Sequence, residues 1–235
     1  MRKLIWKELH EQSWKLAFGC IVLSAFVVIG LHARIIPDLS MVSWVCAIGV
    51  LILPITSAAG LFPAERAEGS FETLMAMPIP PWKILLAKTM AGIVLCAGPL
   101  AAAAVFSAWM AGSRETPIKE MLAICGLSAL ASVSLLIWMM ALSIRLPNEG
   151  RAALISMGVL VIWGVVAWPL YENYDYRVLA FTPFGWFIEN RFRIGFGEQS
   201  FLDGFAATCF AQGVMLLAAW SLARRMLNAP VEDKS

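Results

Sequence analysis

Six long apolar runs fix what this chain can fold into: approximately 16–31, 40–62, 84–111, 121–144, 152–170 and 201–222. Each is near the length, about 20 residues, that carries an α-helix through the ~30 Å apolar layer of a bilayer. Inside that layer every backbone amide must be satisfied by protein, which leaves helices or closed barrels. A barrel would show short segments of alternating polarity, and none is visible. Of the 235 residues only 14% are charged and 60% are apolar, whereas soluble domains are roughly a quarter charged and half apolar. The expectation is an all-α membrane protein with six transmembrane helices in a single transmembrane domain over 1–235. A soluble α/β enzyme, a disordered chain and a disulfide scaffold are excluded.

The net charge is +2, with no clustered basic face of the kind a nucleic-acid binder needs. Where the cations fall is more informative. With the N-terminus inside, the inner segments hold Arg2, Lys3, Lys7, Lys15, Arg66, Lys83, Lys88, Arg145, Arg151, Arg224, Arg225 and Lys234. The outer loops keep Arg34, Arg114, Lys119, Arg177, Arg191 and Arg193. That two-to-one excess places both termini on the cytoplasmic side of a cell inner membrane. The basic N-terminus resembles the start of a signal peptide, but the run that follows is long, and His32-Ala33-Arg34 makes a poor cleavage site. It is read as a retained first span. Residues 1–15 alternate on a helical wheel, with Ile5, Trp6, Leu9 and Ser13 on one face and Lys3, Lys7, His10 and Glu11 on the other. They are expected to form an interfacial helix on the inner membrane surface.

The span centres carry no carboxylate or histidine, which an ion-coupled carrier would place there. Lys15, Lys88, Glu120 and Asp203 stand near span ends, where they are expected to snorkel or meet water. Five cysteines, Cys20, Cys46, Cys96, Cys125 and Cys209, lie singly in apolar runs with no C-x-x-C pair, and read as small hydrophobes. Pro54 and Pro99 fall inside spans 2 and 3 and are expected to bend them. No nucleophile elbow, H-E-x-x-H pair or phosphate-binding G-x-x-x-x-G-K-[ST] loop is present. The chain is therefore expected to be no enzyme, with no catalytic, metal or cofactor-binding residues of its own.

The informative segment is 63–83, a stretch between spans 2 and 3 that is longer than a turn and shorter than a domain. Gly69 permits a sharp backbone turn, Ser70 suits an N-cap, and Glu72 suits the first turn of a helix. Phe71, Leu74, Met75 and Met77 make the next two turns apolar. Pro78 should end that helix, and Pro80 and Pro81 should open span 3. The result is a short, proline-bounded helix near the cytoplasmic surface, either resting on headgroups or inserting into a groove on a soluble partner.

These residues resemble the coupling region of the ABC type-2 permease family, whose pattern runs roughly E-R-x-x-G-T-x-E-x-L-x-x-x-P-I-S-R and then G-K. Here it aligns without gaps as Glu65, Arg66, Gly69, Ser70, Glu72, Leu74, Pro78 and Ile79, with Lys88 closing it. Ser70 replaces the threonine, Pro80-Pro81 the Ser-Arg, and Ala87 the glycine before the lysine.

The resemblance implies a membrane permease subunit of an ATP-binding-cassette exporter, working as a dimer with a second permease copy or a paralogue. Its energy would come from a separate P-loop ATPase subunit, on which ATP and Mg would bind. It further implies that 63–83 is a cytoplasmic coupling segment. Gly69, Ser70, Phe71, Glu72, Leu74 and Met77, stopped by Pro78, would form the ATPase-docking helix, and Glu65 and Arg66 would anchor the end of span 2 by charge pairing. The aromatic-rich segment 171–200 is expected outside, either re-entering to cap the exit or anchored at the boundary, and 223–235 is expected as a cytoplasmic tail. An ATPase-linked scaffold acting on extracytoplasmic machinery without moving a cargo is the alternative reading.

Overall fold

The computed structural model describes residues 2–33, 37–111, 118–173 and 198–228. Among them all regular structure is helical: α1 (Arg2–Glu11), α2 (Ser13–Ala33), α3 (Asp38–Leu61), α4 (Pro63–Ala67), α5 (Ser70–Ala76), α6 (Pro81–Ala111), α7 (Ile118–Ser143), α8 (Glu149–Asn173) and α9 (Glu198–Asn228). Five helical stretches are long and apolar enough to cross a membrane: Ser13–Ala33, Asp38–Ala67, Pro81–Met110, Ile118–Ser143 and Glu149–Val166. The sixth expected span, 201–222, lies within α9, which is not among these five. The core of the expected external segment, 174–197, and the tail from 229 onward lie outside the described residues.

Chain chemistry sets the boundaries near the bundle end that matters most. Pro63 lacks an N–H and crowds the preceding turn, so the rod that begins at Asp38 breaks at Phe62 and resumes as α4. Gly69 then turns the chain with φ +74°, a left-handed conformation that costs a side chain but not glycine. Met77 is extended at φ −67°, ψ 149°, as a residue before proline prefers, and α6 begins at Pro81 as the sequence indicates. Gly69, not Ser70, occupies the cap position of α5. The Ser70 hydroxyl instead donates back to the Glu65 carbonyl at 3.3 Å.

α3, α6 and α7 pack on one another at the centre, with α2 against α3 and α6, and α8 and α9 against α7. A Cβ added at Gly92 would stand 2.8 Å from Leu136 Cδ2 and 3.1 Å from Leu61 Cδ1, so the leucine side chains of α7 and α3 pack directly on the α6 backbone there. One added at Gly19 would stand 3.0 Å from Pro99 Cγ. α2 therefore packs directly on the Pro99 ring, inside a helix that runs unbroken through it. Two apolar clusters divide the bundle lengthwise. The first gathers Ala58, Leu61, Phe62, Phe71, Leu85, Met140, Ile144 and Ala223 at the end bearing α4 and α5. The second gathers Leu31, Val42, Cys46, Ala103, Met121 and Cys125 at the other end. The Cys46 and Cys125 thiols touch at 3.6 Å and remain free. On the outside, Phe18, Ile21, Phe26 and Ile29 of α2 and Leu154, Met157, Ile162 and Val165 of α8 are exposed. A soluble surface does not tolerate such an array, and hydrocarbon accommodates it.

Candidate functional site

At the end of the bundle that carries α5, three helices converge on one lysine. Lys88, on the inward face of α6, has no exposed surface at all. Its ammonium donates to Glu8 Oε1 and Oε2 of α1, each at 3.0 Å, and to the Leu61 carbonyl at 2.6 Å. Leu61 is the last residue of α3, and a helix C-terminus offers both an under-used carbonyl and partial negative charge to a cation. Glu65 Oε2 of α4 lies 2.9 Å from the same ammonium, an ionic contact outside hydrogen-bonding geometry. The Phe62 ring lies 5.2 Å away, within cation–π range. Lys7 adds a weaker pair with Glu65 Oε1 at 3.5 Å and another with Glu11 at the same distance.

The expectation that Lys88 snorkels to water is therefore corrected. It stands at the eighth position of α6 beneath two carboxylates that are themselves 2% and 6% exposed. Burying such a charge is tolerable only with close ionic and hydrogen-bonded partners, and the N-terminal helix supplies one of them. The N-terminal helix meets the bundle through residues that the helical wheel left unassigned. α1 packs along α6 with Glu8 and Gln12 inward and Leu9 half-buried against the core, while Trp6 is 70% exposed. Gln12 Nε2 donates to the Gly60 carbonyl at 3.1 Å, and Lys15 at the start of α2 pairs with Glu149 at 3.7 Å.

Sequence reasoning missed Glu8 and Gln12, and a signal for them was present. They stand four residues apart, on one helical face, just ahead of a chain otherwise starved of polar partners. Glu8, Glu11 and Glu65 also bring one oxygen each within 4.8 Å of one another, a grouping that suits a divalent cation by number. Lys88 and Lys7 already supply positive charge to it at 2.9–3.5 Å, so the chemistry is that of an ion network.

Burial holds the Glu8 carboxyl above its ordinary value of 4.5, outweighing the pull of Lys88. The folded state thus keeps this proton to a higher pH than the unfolded chain does. Stability associated with Glu8 falls as pH rises from that ordinary value through the raised one, and is regained on acidification. Glu8→Gln is expected to remove this component. The difference between wild-type and variant melting temperatures, followed across pH, should change over that window; parallel curves would mean that Glu8 titrates as an ordinary glutamate.

The residues singled out in 63–83 divide into two groups. Phe71 and Leu74, at 8% and 4% exposure, face inward. Phe71 meets Phe62 edge to face with centroids 6.3 Å apart. These side chains face the bundle, and the outer surface of α5 is left to Glu72, Thr73 and Ala76, with Met77 and Pro78 exposed just beyond. Glu65 pairs as expected, with Lys88 and Lys7. Arg66 does not: among the described residues no carboxylate lies within ion-pairing distance of it, and its guanidinium stacks 4.5 Å over the Phe71 ring.

No family model matches the chain, and no curated protein matches it either.

Proposed function

We propose that this chain is the six-span permease subunit of an ATP-binding-cassette exporter, with α5 as the coupling helix that docks into a separate P-loop ATPase subunit. The observation that carries this reading is the construction of α4 and α5. A seven-residue helix is set off by a left-handed glycine at one end and an extended residue before proline at the other. Phe71 ties it to the apolar cluster at the end of α3, edge to face on Phe62, and the Glu65–Lys88 contact ties the adjoining α4 to α6. A stroke delivered to the exposed Glu72–Met77 surface would pass into two long helices through buried contacts without bending α5 itself. A helix that merely rested on headgroups would need no buried ion network behind it. In the proposed assembly two permease copies, or this chain and a paralogue, stand side by side in the inner membrane with both termini cytoplasmic.

The test replaces only the outer surface. Glu72→Lys combined with Met77→Glu should change stability by no more than surface substitutions do, about 0.5 kcal/mol. The same double variant should reduce co-purification of the ATPase subunit, and cargo-dependent ATP hydrolysis in vesicles, by roughly ten-fold or more, the scale of a docking hot spot. Wild-type protein purified from its native membrane without any P-loop ATPase would sink the proposal.

A further inference from the structure

The first helix is fastened to the bundle by a carboxyl group. Among the described side chains of α1 only Glu8 is fully buried; Leu4, Ile5 and Leu9 are half-buried and the rest are exposed. α1 ends at Glu11 and α2 begins at Ser13, and the joint is pinned by the hydrogen bond from Gln12 to the Gly60 carbonyl. The joint and the span behind it can thus stay in place when α1 leaves its seat. The seat does not balance in charge. Glu8 and Glu65 meet a single buried ammonium, that of Lys88, at 3.0 and 2.9 Å. Lys7 lies 3.5 Å from Glu65 Oε1, and Glu11 draws on it at the same distance. Three carboxylates therefore share two ammonium groups. The other charges of the elements packed here are engaged elsewhere: Lys15 with Glu149, Arg66 on the Phe71 ring and Lys83 on Trp82. Lys3 and His10 of α1 are exposed.

A negative charge left over in a buried seat is costly, and two carboxyl groups held together give up their protons one at a time. A proton on Glu8 cancels the excess, and its acceptor is in place: both oxygens of Glu65 are buried and accept no hydrogen bond. An oxygen of Glu8 lies within 4.8 Å of one of Glu65, so a rotation of the carboxyl groups completes the bond. Lys88 keeps Glu65 and the Leu61 carbonyl, at 2.6 Å, in either state. Burial first, and Glu65 after it, hold the Glu8 carboxyl above its ordinary value against the pull of Lys88 and Lys7. We infer that Glu8, when seated, carries one proton and donates it to Glu65, and that this hydrogen bond is the catch that straps α1 to α6. Raising the pH of the aqueous phase at this end strips the proton, and the ionised Glu8 reaches water by lifting α1. Acid closes the strap again. A lifted Glu8 has its ordinary affinity for a proton and a seated one holds it more tightly, so seating is favoured in acid and lost as the pH climbs. The strap belongs to this chain alone and does not depend on any partner of α5.

The experiment takes the full-length chain in phosphatidylcholine nanodiscs through a pH titration with two readouts. Infrared difference spectra report the carbonyl stretch of a protonated carboxyl, and hydrogen exchange reports the opening of α1. Above the ordinary glutamate value of 4.5, wild type should show a carboxyl band that Glu8→Gln lacks. Glu65→Gln should lack it too, because the buried pair of Glu8 and Lys88 then balances without a proton. Lys7→Met, at a half-exposed side chain, should move the loss of the band to higher pH by removing a neighbouring positive charge. Over the same range the α1 amides of wild type, measured relative to Glu8→Gln at each pH, should exchange faster by up to about ten-fold per pH unit. The α2 amides should not follow. A band that survives Glu65→Gln would belong to a carboxyl neutralised by burial alone and overturns the shared proton. If Glu65→Gln fails to fold, Lys7→Met decides, and a titration it leaves unmoved overturns the inference equally. Absence of the band from wild type has the same consequence. A band that behaves as expected while α1 exchange stays level across its loss would show that the proton holds nothing shut, and the strap fails.

Discussion

Lys88→Met is expected to destabilise the protein by about 3–5 kcal/mol, because it strands two buried carboxylates without their shared cation. The figure belongs to breaking the network and not to its net worth. An ion pair in a low-dielectric interior roughly offsets its own desolvation, so neutralising every member together should be far milder than removing one. The decisive comparison sets Lys88→Met beside a triple variant, Glu8→Gln, Glu65→Gln and Lys88→Met. Fluorescence-detected melting in detergent should show a large fall for the single change and recovery of most of it in the triple. A single variant that melts with wild type would show that the contacts at 2.9 and 3.0 Å have no structural weight. Should the triple fare as badly as the single, the lost contact with the Leu61 carbonyl is the term that matters.

Phe62→Ala is expected to cost a similar amount, about 3–5 kcal/mol, by the ordinary arithmetic of emptying a large buried aromatic site. Phe62 has no exposed surface. Its ring supports Phe71 from one side and lies beneath the Lys88 ammonium. Loss of the ring should therefore do two things at once, lowering global stability and loosening α5. Phe71→Ala makes the useful contrast, since that residue lies on α5 itself. It should expose the α4–α5 connection to limited proteolysis while lowering the melting temperature much less than Phe62→Ala does. Equal melting losses for the two would mean that α5 is an integral part of the bundle core, not an appendage fastened to it.

Much of this architecture was legible in the sequence, because apolar length in a bilayer is nearly sufficient to specify a helix. Each of the six expected runs coincides with one of the long helices α2, α3, α6, α7, α8 and α9, the second and fourth overrunning α3 and α7 by one residue, and five of the six correspond to stretches long and apolar enough to cross a membrane. The short helix α5 was legible for a local reason: Gly69 can take the left-handed turn, Pro78 keeps the residue before it out of the helix, and α5 fits between them. What could not be read were pairings across the chain. Glu8 and Lys88 are separated by 80 positions, and periodicity alone assigns a charged residue on an amphipathic helix to the solvent side. The lysine was hidden by the opposite habit, that a long basic side chain one or two turns into a span reaches back to water. Its true environment depends on α1 lying across it, which no local rule contains. For Arg66, charge pairing was expected from the family resemblance alone. Glu65 turns inward toward Lys88 while Arg66 lies on Phe71, on different sides of the one-and-a-half-turn helix α4.

The clamp between α1 and α6 also orders events at the ribosome. Glu8 emerges first and has no counter-ion until Lys88 has been synthesised, and at about 5–20 residues per second that interval is roughly 4–16 s. During it the first helix must wait at the membrane surface with its acidic face hydrated, while the hairpin of α2 and α3 is inserted. The N-terminus is thus among the first parts made and among the last to settle. A bulky fusion placed before Arg2 should slow maturation of nascent chains more than the same fusion placed after Asn228.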